Sequence, residues 1–421
     1  MYNKTILENG LRIITERLPH SRLTSVGIWV DVGSRDEHDL NNGSAHFVEH
    51  MLFKGTRNRT AEQLARELDV LGGTANAFTA RDTTCYYATV LDRHLPKLVE
   101  LFADLFLNSR FDQEDIDKER QVILQEISMV EDTPDDQIHD LFAALLWGRH
   151  PLGNTVLGGR EVVAAMDAKK LIDYVQKQYT PDRILIAAAG NVEHDAFVRL
   201  WQDAASLPAG SGDAPPARRP PQSLSPQRAI YSKPLEQVHV LLGTYGPPAA
   251  SVDRFTFMLL NVLLGGNMSS RLFQELREKR GLAYSIYSYI VPFADCGYLS
   301  IYLGVDREVV NEALSLVVRE VNRLVNEPVS AAELADAREF SKAGLYLAAE
   351  NMESIMMRIA RNEFVFGHYV TFEEVATAID QVQPVDIGRL AGQIFANDLT
   401  MTALGPLQAD EVDWALLGWK K

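Results

Sequence analysis

The chain has 421 residues, of which 46% are hydrophobic and 23% charged, a composition ordinary for a soluble globular protein with two or more domains. Its formal net charge of −16 disfavours nucleic acid and anionic membrane surfaces as partners. Two cysteines are too few for a disulfide framework or a thiolate zinc site.

The first residues of the chain do not resemble a targeting segment. Residues 1–8 contain no basic stretch that leads into a long apolar one, which argues against a secretory signal. No apolar run approaches the length that crosses a membrane. With so few cysteines, we expect a reducing, cytoplasmic setting and no membrane partner.

Along the chain, strands are expected first and then a short helix. A turn at Asn9-Gly10 predicts a hairpin, and the apolar residues 24–30 predict a further strand. The segment 46–50 follows, with the sequence His-Phe-Val-Glu-His. On a helix, histidines four residues apart lie one turn from each other on the same face, and Glu49 shares that face. This arrangement predicts a divalent metal site with a carboxylate base beside it, in the H-x-x-E-H order of inverted zinc peptidases.

The alternative for residues 46–50 is an ordinary core helix, because Phe47 and Val48 are apolar and apolar residues follow. In that case two histidines and a glutamate would be buried together, and unpaired polar groups in a core cost free energy. A bound metal ion removes this cost.

After this helix, residues 64–71 predict another helix, Gly72-Gly73 a turn, and residues 74–91 an alternating strand region. Asn76 and Thr79 are polar positions at its start. An exposed strand edge here can add an extended peptide as a further strand. The alternative is an ordinary hairpin strand after a glycine turn.

A long amphipathic helix over residues 114–130 offers a third metal ligand. A catalytic zinc takes three protein ligands and leaves one position open. Glu119 and Glu126 are seven residues apart and therefore lie on one helix face, two turns from each other. Both are candidates, and the alternative is a solvated acidic face with i,i+4 partners.

A Pro/Gly/Ser-rich stretch divides the chain near its middle. Residues 206–228 cannot build a core and predict an exposed linker between domains 1–205 and 229–421. The two halves repeat one order of elements, which indicates an internal duplication. The matching segments are strands 24–30 and 238–243, helices 64–71 and 272–280, strand regions 74–91 and 282–303, long helices 114–130 and 331–349, and closing strands 184–190 and 399–404. We expect an α+β fold of two similar domains, each a mainly antiparallel sheet covered by helices. The second half has residues 255–261 where the first has the histidines, and these contain no ligand types.

The metal motif, followed by 75 residues and then Glu126, resembles the pitrilysin family of zinc metallopeptidases, most closely its bacterial branch similar to mitochondrial processing peptidase. The likeness extends over both halves. It includes three further features: residues 73–79, with the sequence GTANAFT, Glu119 seven residues before Glu126, and Arg277 with Tyr284.

The resemblance implies a role for each matching residue. It implies one zinc ion per chain on His46, His50 and Glu126, with Glu119 as a carboxylate that supports a ligand. Glu49 would act as the general base, and Arg277 with Tyr284 would grip the substrate. The implied substrate-binding strand consists of the residues Asn76, Ala77, Phe78 and Thr79.

The implied activity is that of a zinc endopeptidase acting on extended or unfolded peptides in a dimeric chamber, with Arg277 and Tyr284 supplied by the partner subunit. We expect a homodimer or a heterodimer with a related subunit. Two other functions remain open: a non-catalytic structural or substrate-recognition subunit of a processing-peptidase-like complex, and a metal-binding protein without hydrolysis. Two histidines and a carboxylate also suit manganese or cobalt.

Overall fold

The structure of the chain is a computed structural model that describes residues 1–205, 218–222, 225–396 and 398–417, so most of the predicted linker lies outside it. Within these residues the strands are β1 Tyr2–Ile6, β2 Arg12–Arg17, β3 Leu23–Val30, β4 Thr74–Thr79, β5 Thr84–Leu91, β6 Ile184–Gly190, β7 Arg228–Ser232, β8 Val238–Gly246, β9 Ala283–Pro292, β10 Gly297–Val305 and β11 Thr400–Gly405. The helices are α1 Ser44–Leu52, α2 Ala61–Val70, α3 Leu95–Asn108, α4 Gln113–Asp132, α5 Pro134–Trp147, α6 Arg160–Ala164, α7 Ala168–Gln178, α8 His194–Ala204, α9 Arg254–Leu264, α10 Val310–Asn326, α11 Ala331–Ala349, α12 Met352–Phe366, α13 Phe372–Gln381 and α14 Pro384–Ile394.

The first sheet has six strands in the order β1-β2-β6-β3-β5-β4. Only β2 and β6 pair in parallel, and the other neighbours pair antiparallel. Its hairpins follow the turn signals in the sequence: Gly10 joins β1 to β2 with a φ of 91°, a backbone conformation that glycine adopts without strain.

The second sheet has five strands in the order β7-β11-β8-β10-β9. Its one parallel pair is β11 with β7, and the rest are antiparallel. This order repeats β2-β6-β3-β5-β4 of the first sheet, with the parallel pair in the same place. The prediction of two similar α+β domains with mainly antiparallel sheets is confirmed.

The chain forms two compact units, each built from several segments. The first contains residues 1–129, 154–218 and 347–369, and the second contains residues 130–153, 219–346 and 370–421. Within the first unit, α12 packs on β2, β3 and β6, and within the second, α5 packs on β8 and β11. Each unit thus includes a covering helix from the other half of the sequence. The continuous boundaries predicted for the domains, 1–205 and 229–421, remain a prediction.

The core of the first unit lies between its sheet and the helices α1, α3 and α8. Phe47, Val48 and Met51 of α1 are fully buried in this core, which also contains Ile28 and Tyr86 of the sheet. This apolar packing fixes α1, because burying each large apolar side chain stabilises the fold by about 1.5–3 kcal/mol. Across the described residues, no helix is long and apolar enough to cross a membrane.

Candidate metal centre

The helix α1, which carries the two histidines of the motif, begins directly after a glycine. Gly43 precedes it with a φ of 95°, and a Cβ at this position would come within 2.8 Å of the Leu157 carbonyl oxygen. No side chain of α1 caps its own first turn. The carboxylate of Glu37, which is only 3% exposed, accepts hydrogen bonds from the backbone N–H groups of Gly43 (2.7 Å) and Ala45 (2.6 Å). Glu37 therefore takes the place of a cap and fixes the start of α1.

Three side chains converge in the first unit. Nε2 of His46 and Nε2 of His50 lie 3.2 Å apart, and Oε2 of Glu126 lies 3.8 Å from the first and 3.6 Å from the second. Tetrahedral zinc with bonds of about 2.0–2.1 Å separates neighbouring ligand atoms by about 3.3 Å. Of the described residues, this is the one group of three His, Cys, Asp or Glu side chains spaced to hold a metal ion.

The hydrogen bonding at this site also fits a cation. Oε2 of Glu126 is buried and has no hydrogen-bond partner within the described part of the chain. Burial, followed by the charge of His50, lowers the pKa of His46 to about 3, so this imidazole is neutral and has a lone pair to give. Oε2 of Glu126 thus faces two imidazole nitrogens and accepts no hydrogen bond in the described part of the chain. A divalent cation between these three atoms would remove the cost of this unpaired buried oxygen. The donor set therefore fits zinc.

Glu119 lies behind His50 and not beside Glu126. Its Oε1 is 2.9 Å from Nδ1 of His50, and its Oε2 is 2.6 Å from Nζ of Lys54. Burial lowers the pKa of His50, but the hydrogen bond and the nearby carboxylates outweigh it, so the net shift is upward. The bond at Nδ1 directs Nε2 of His50 toward the site, as carboxylate partners of metal-binding histidines do.

Glu49 lies on the same helix and is held by a strand. The hydroxyl of Thr79 donates a hydrogen bond of 2.5 Å to Oε2 of Glu49. Burial raises the pKa of Glu49, while this hydrogen bond and His50 partly oppose the rise. A carboxylate whose pKa is raised is a better proton acceptor, as a general base requires.

The predicted substrate strand is the edge of the first sheet. Within the described residues, β4 pairs with β5 alone, so its outer backbone edge is open. Asn76 is exposed, whereas Ala77, Phe78 and Thr79 are half-buried. A cavity of about 210 Å³ beside this strand is lined mainly by the apolar side chains of Phe53, Leu64 and Leu68. The edge and the cavity together can accept an extended peptide and an apolar side chain.

Arg277 and Tyr284 belong to the second unit and contact each other. The guanidinium carbon of Arg277 lies 5.1 Å from the ring centre of Tyr284 and 4.9 Å from that of Phe273. Tyr284 is 77% exposed. The helix predicted over 272–280 contains a π-helical segment, Phe273–Glu278, because its hydrogen bonds run to more distant carbonyls than α-helix periodicity implies.

Sequence reasoning did not identify Glu37 and Lys54, nor the contact of Thr79 with Glu49. Lys54 gave only a weak signal, because it follows His50 by four residues but lies beyond Leu52, the last residue of α1. Glu37 gave no signal in the sequence, because it lies in a loop and no residue spacing connects it to the N–H groups of Gly43 and Ala45 that it binds.

Two family models match the chain. One, described as insulinase (peptidase family M16), matches residues 12–160, and the other, described as the peptidase M16 inactive domain, matches residues 165–340. The first match includes His46, His50 and Glu126, and the second includes Arg277 and Tyr284.

Similar proteins match over nearly the whole chain. A protein of Streptomyces coelicolor named an uncharacterized zinc protease is 39% identical over 411 residues, covering 96% of this chain and 90% of that protein. The uncharacterized zinc protease YmxG of Bacillus subtilis is 36% identical over 406 residues, covering 96% and 98%. A crystal structure of a protease from Helicobacter pylori is similar in fold, with a TM-score of 0.90 at 23% identity, covering 96% of this chain and 99% of that one.

Proposed function

Because this chain belongs to the insulinase family, peptidase family M16, we propose that it is a zinc-dependent endopeptidase that hydrolyses extended or unfolded peptides. The observation that carries this proposal is the convergence of His46, His50 and Glu126 with Glu49 on the same helix as the two histidines.

His46, His50 and Glu126 would hold the zinc ion, which would supply Lewis-acid chemistry for the hydrolysis of an amide bond. Glu49 accepts the proton of the attacking water and passes it to the nitrogen of the departing amine. Neither step forms a covalent bond to the protein. Glu119 keeps the His50 ring oriented through its Nδ1 hydrogen bond while the proton moves.

The substrate in this proposal lies along the open edge of β4. Backbone pairing at a strand edge recognises any extended chain, so the enzyme would select unfolded segments more than particular sequences. The adjoining cavity lined by Phe53, Leu64 and Leu68 would accept an apolar side chain of the bound peptide. Folded proteins would resist cleavage because their backbones are already paired.

The active assembly in this proposal is a dimer, in which Arg277 and Tyr284 of one subunit serve the zinc site of the other. An arginine and a tyrosine hydroxyl suit a developing oxyanion, which needs hydrogen-bond donors. The exposure of Tyr284 supports a role in contacting another molecule. A homodimer is the simplest assembly, and a related subunit without the metal motif is the alternative.

Metal dependence tests the proposed activity. The purified protein should cleave a mixture of unstructured peptides, lose that activity after treatment with a chelator, and regain it when zinc is added. Failure of the zinc-loaded protein to cleave any peptide would favour the non-catalytic subunit as its function.

Mixed dimers test the sharing of residues between subunits. E49Q dimers and R277A/Y284F dimers should each be inactive, but after subunit exchange roughly a quarter of wild-type activity should return, because half of the dimers then contain one complete site. No recovery, with exchange verified by mass labels, would place Arg277 and Tyr284 in the same subunit as the base.

A further inference from the structure

We propose that Thr79 is a positioning residue, whose hydroxyl holds the Glu49 carboxylate in the orientation that proton transfer requires. This inference rests on the proposed function. The sequence assigned Thr79 only to the substrate-binding strand, and its side chain makes a different contact: its Oγ1 donates to Oε2 of Glu49 at 2.5 Å.

The geometry of β4 places this hydroxyl on the side of the sheet that faces α1. Side chains alternate along a strand, so Ala75, Ala77 and Thr79 share one face while Asn76 and Phe78 share the other. Phe78 packs on that other face against Trp29 and Tyr87. Ala77 packs into the core that contains α1. Thr79 therefore belongs to the face of β4 that covers the metal-binding helix.

Strand β4 can hold the Thr79 hydroxyl in a fixed position, because β4 is paired with β5 along its length. Thr79 pairs with Thr84, whose own hydroxyl is bound to the Val32 carbonyl oxygen at 3.0 Å. The threonine side chain has few rotamers, since it is branched at Cβ. Both ends of the Thr79–Glu49 contact are thus fixed by secondary structure.

The contact determines what Glu49 can do. A glutamate has three rotatable side-chain bonds, and a base must keep its free oxygen within hydrogen-bond reach of the proton it removes. The hydrogen bond occupies Oε2 and leaves Oε1 for the proton. Loss of the hydroxyl would let the carboxylate rotate among several orientations, so fewer encounters would be productive. Substrate affinity would change little, because the backbone edge of β4 would remain intact.

The substitution T79V tests this role, because valine keeps the shape of threonine and removes the donor. We expect kcat to fall roughly 10- to 100-fold, the effect of losing one hydrogen bond to a charged group, with KM within about twofold of the wild-type value. The substitution T79S, which keeps the hydroxyl, should restore most of kcat. Zinc content of T79V should match that of the wild type, and kcat is compared at equal folded fraction.

T24V is a matched control. Thr24 is a buried threonine of the same sheet, and its hydroxyl has no hydrogen-bond partner in the described part of the chain. The kcat of the T24V variant should therefore equal that of the wild type. If T79V is unstable, T79A and T79S compared at equal folded fraction give the same test.

The outcomes separate the two proposals. Wild-type kcat in T79V, in a protein whose cleavage depends on Glu49, would overturn the role of Thr79 and leave the proposed function standing. A rise in KM with unchanged kcat would overturn it as well and would make Thr79 a substrate contact. Peptide cleavage that is absent from the wild type, or that persists in E49Q, would overturn the proposed function and the role of Thr79 with it.

Discussion

The ammonium of Lys54 lies 2.6 Å from Oε2 of Glu119, whose other oxygen is bound to His50. Lys54 thus contacts His50, one of the proposed zinc ligands, through one carboxylate. Its positive charge counters part of the negative charge of Glu49, Glu119 and Glu126, which lie close together around α1. Burial raises the pKa of Glu119, but the hydrogen bonds to His50 and Lys54 outweigh burial, so the net shift of this pKa is downward. His50 and Lys54 together therefore favour the ionised form of Glu119, and the Lys54 contact holds this carboxylate beside His50.

Replacing Lys54 should weaken zinc binding. We expect K54M to bind zinc about tenfold less tightly, the usual cost of removing a group that orients a metal ligand. K54R should bind nearly as tightly as the wild type. Competition with a zinc indicator measures the affinity, and K118M, which removes an exposed ion pair with Glu114, is the control. Equal affinity of K54M and the wild type would show that Glu119 orients His50 without Lys54.

The two carboxylates of α4 should differ in their effect on metal content. E126A should lose zinc on dialysis, because only two ligands remain, whereas E119A should retain zinc with weakened affinity. Elemental analysis of zinc per chain measures both, with the exposed Glu114 replaced by alanine as the control. Full zinc in E126A together with none in E119A would exchange the roles of the two residues.

The buried carboxylate of Glu37 should stabilise the first unit. In E37Q the amide offers a single acceptor oxygen, so at least one of the bonds to the Gly43 and Ala45 N–H groups is lost. We expect the free energy of unfolding to fall by about 1–3 kcal/mol, the cost of leaving a buried donor unpaired. Urea unfolding measures this. E193Q, at the exposed cap of α8, should change stability by less than about 0.5 kcal/mol, and an equally small change in E37Q would contradict the account.

His194 should make the first unit sensitive to acid. Its two ring nitrogens lie 2.8 Å from the Thr5 hydroxyl and 2.9 Å from the Thr15 hydroxyl, and burial lowers its pKa. Below about pH 6.5 the unfolded chain therefore takes up a proton more readily than the folded one, so stability falls as pH falls, by at most about 1.4 kcal/mol per pH unit. Between pH 7.5 and pH 5.5, the melting temperature should fall less for H194Q than for the wild type. Identical falls would show that His194 does not contribute.

Local patterns in the sequence predicted much of this fold. The helix expected over 331–349 is α11, Ala331–Ala349, and the strand expected over 184–190 is β6, Ile184–Gly190. The strand is a short continuous apolar run and the helix is rich in alanine and other strong helix formers, and the ends of both are marked by residues that favour turns. The convergence of Glu126 with the histidines followed from family resemblance, since spacing along α4 alone left Glu119 equally eligible.

Other features depend on tertiary contacts that no local pattern records. No local pattern in α5 or α12 indicates that each joins the unit formed mainly by the other half of the chain. The same limit applies to Thr79, whose position in an alternating strand predicts a face but not a partner. Glu37 reads as one acidic loop residue, and only the folded chain brings it to the start of α1.

The most direct test of the central claim compares wild-type protein and E49Q on one mixture of unstructured peptides, at equal zinc content. The account predicts cleavage by the wild type and a loss of roughly a hundredfold or more in E49Q, because the metal remains and the base is gone. Cleavage by E49Q at the wild-type rate, with zinc verified in both proteins, would contradict the assignment of Glu49 as the base and with it the proposed mechanism.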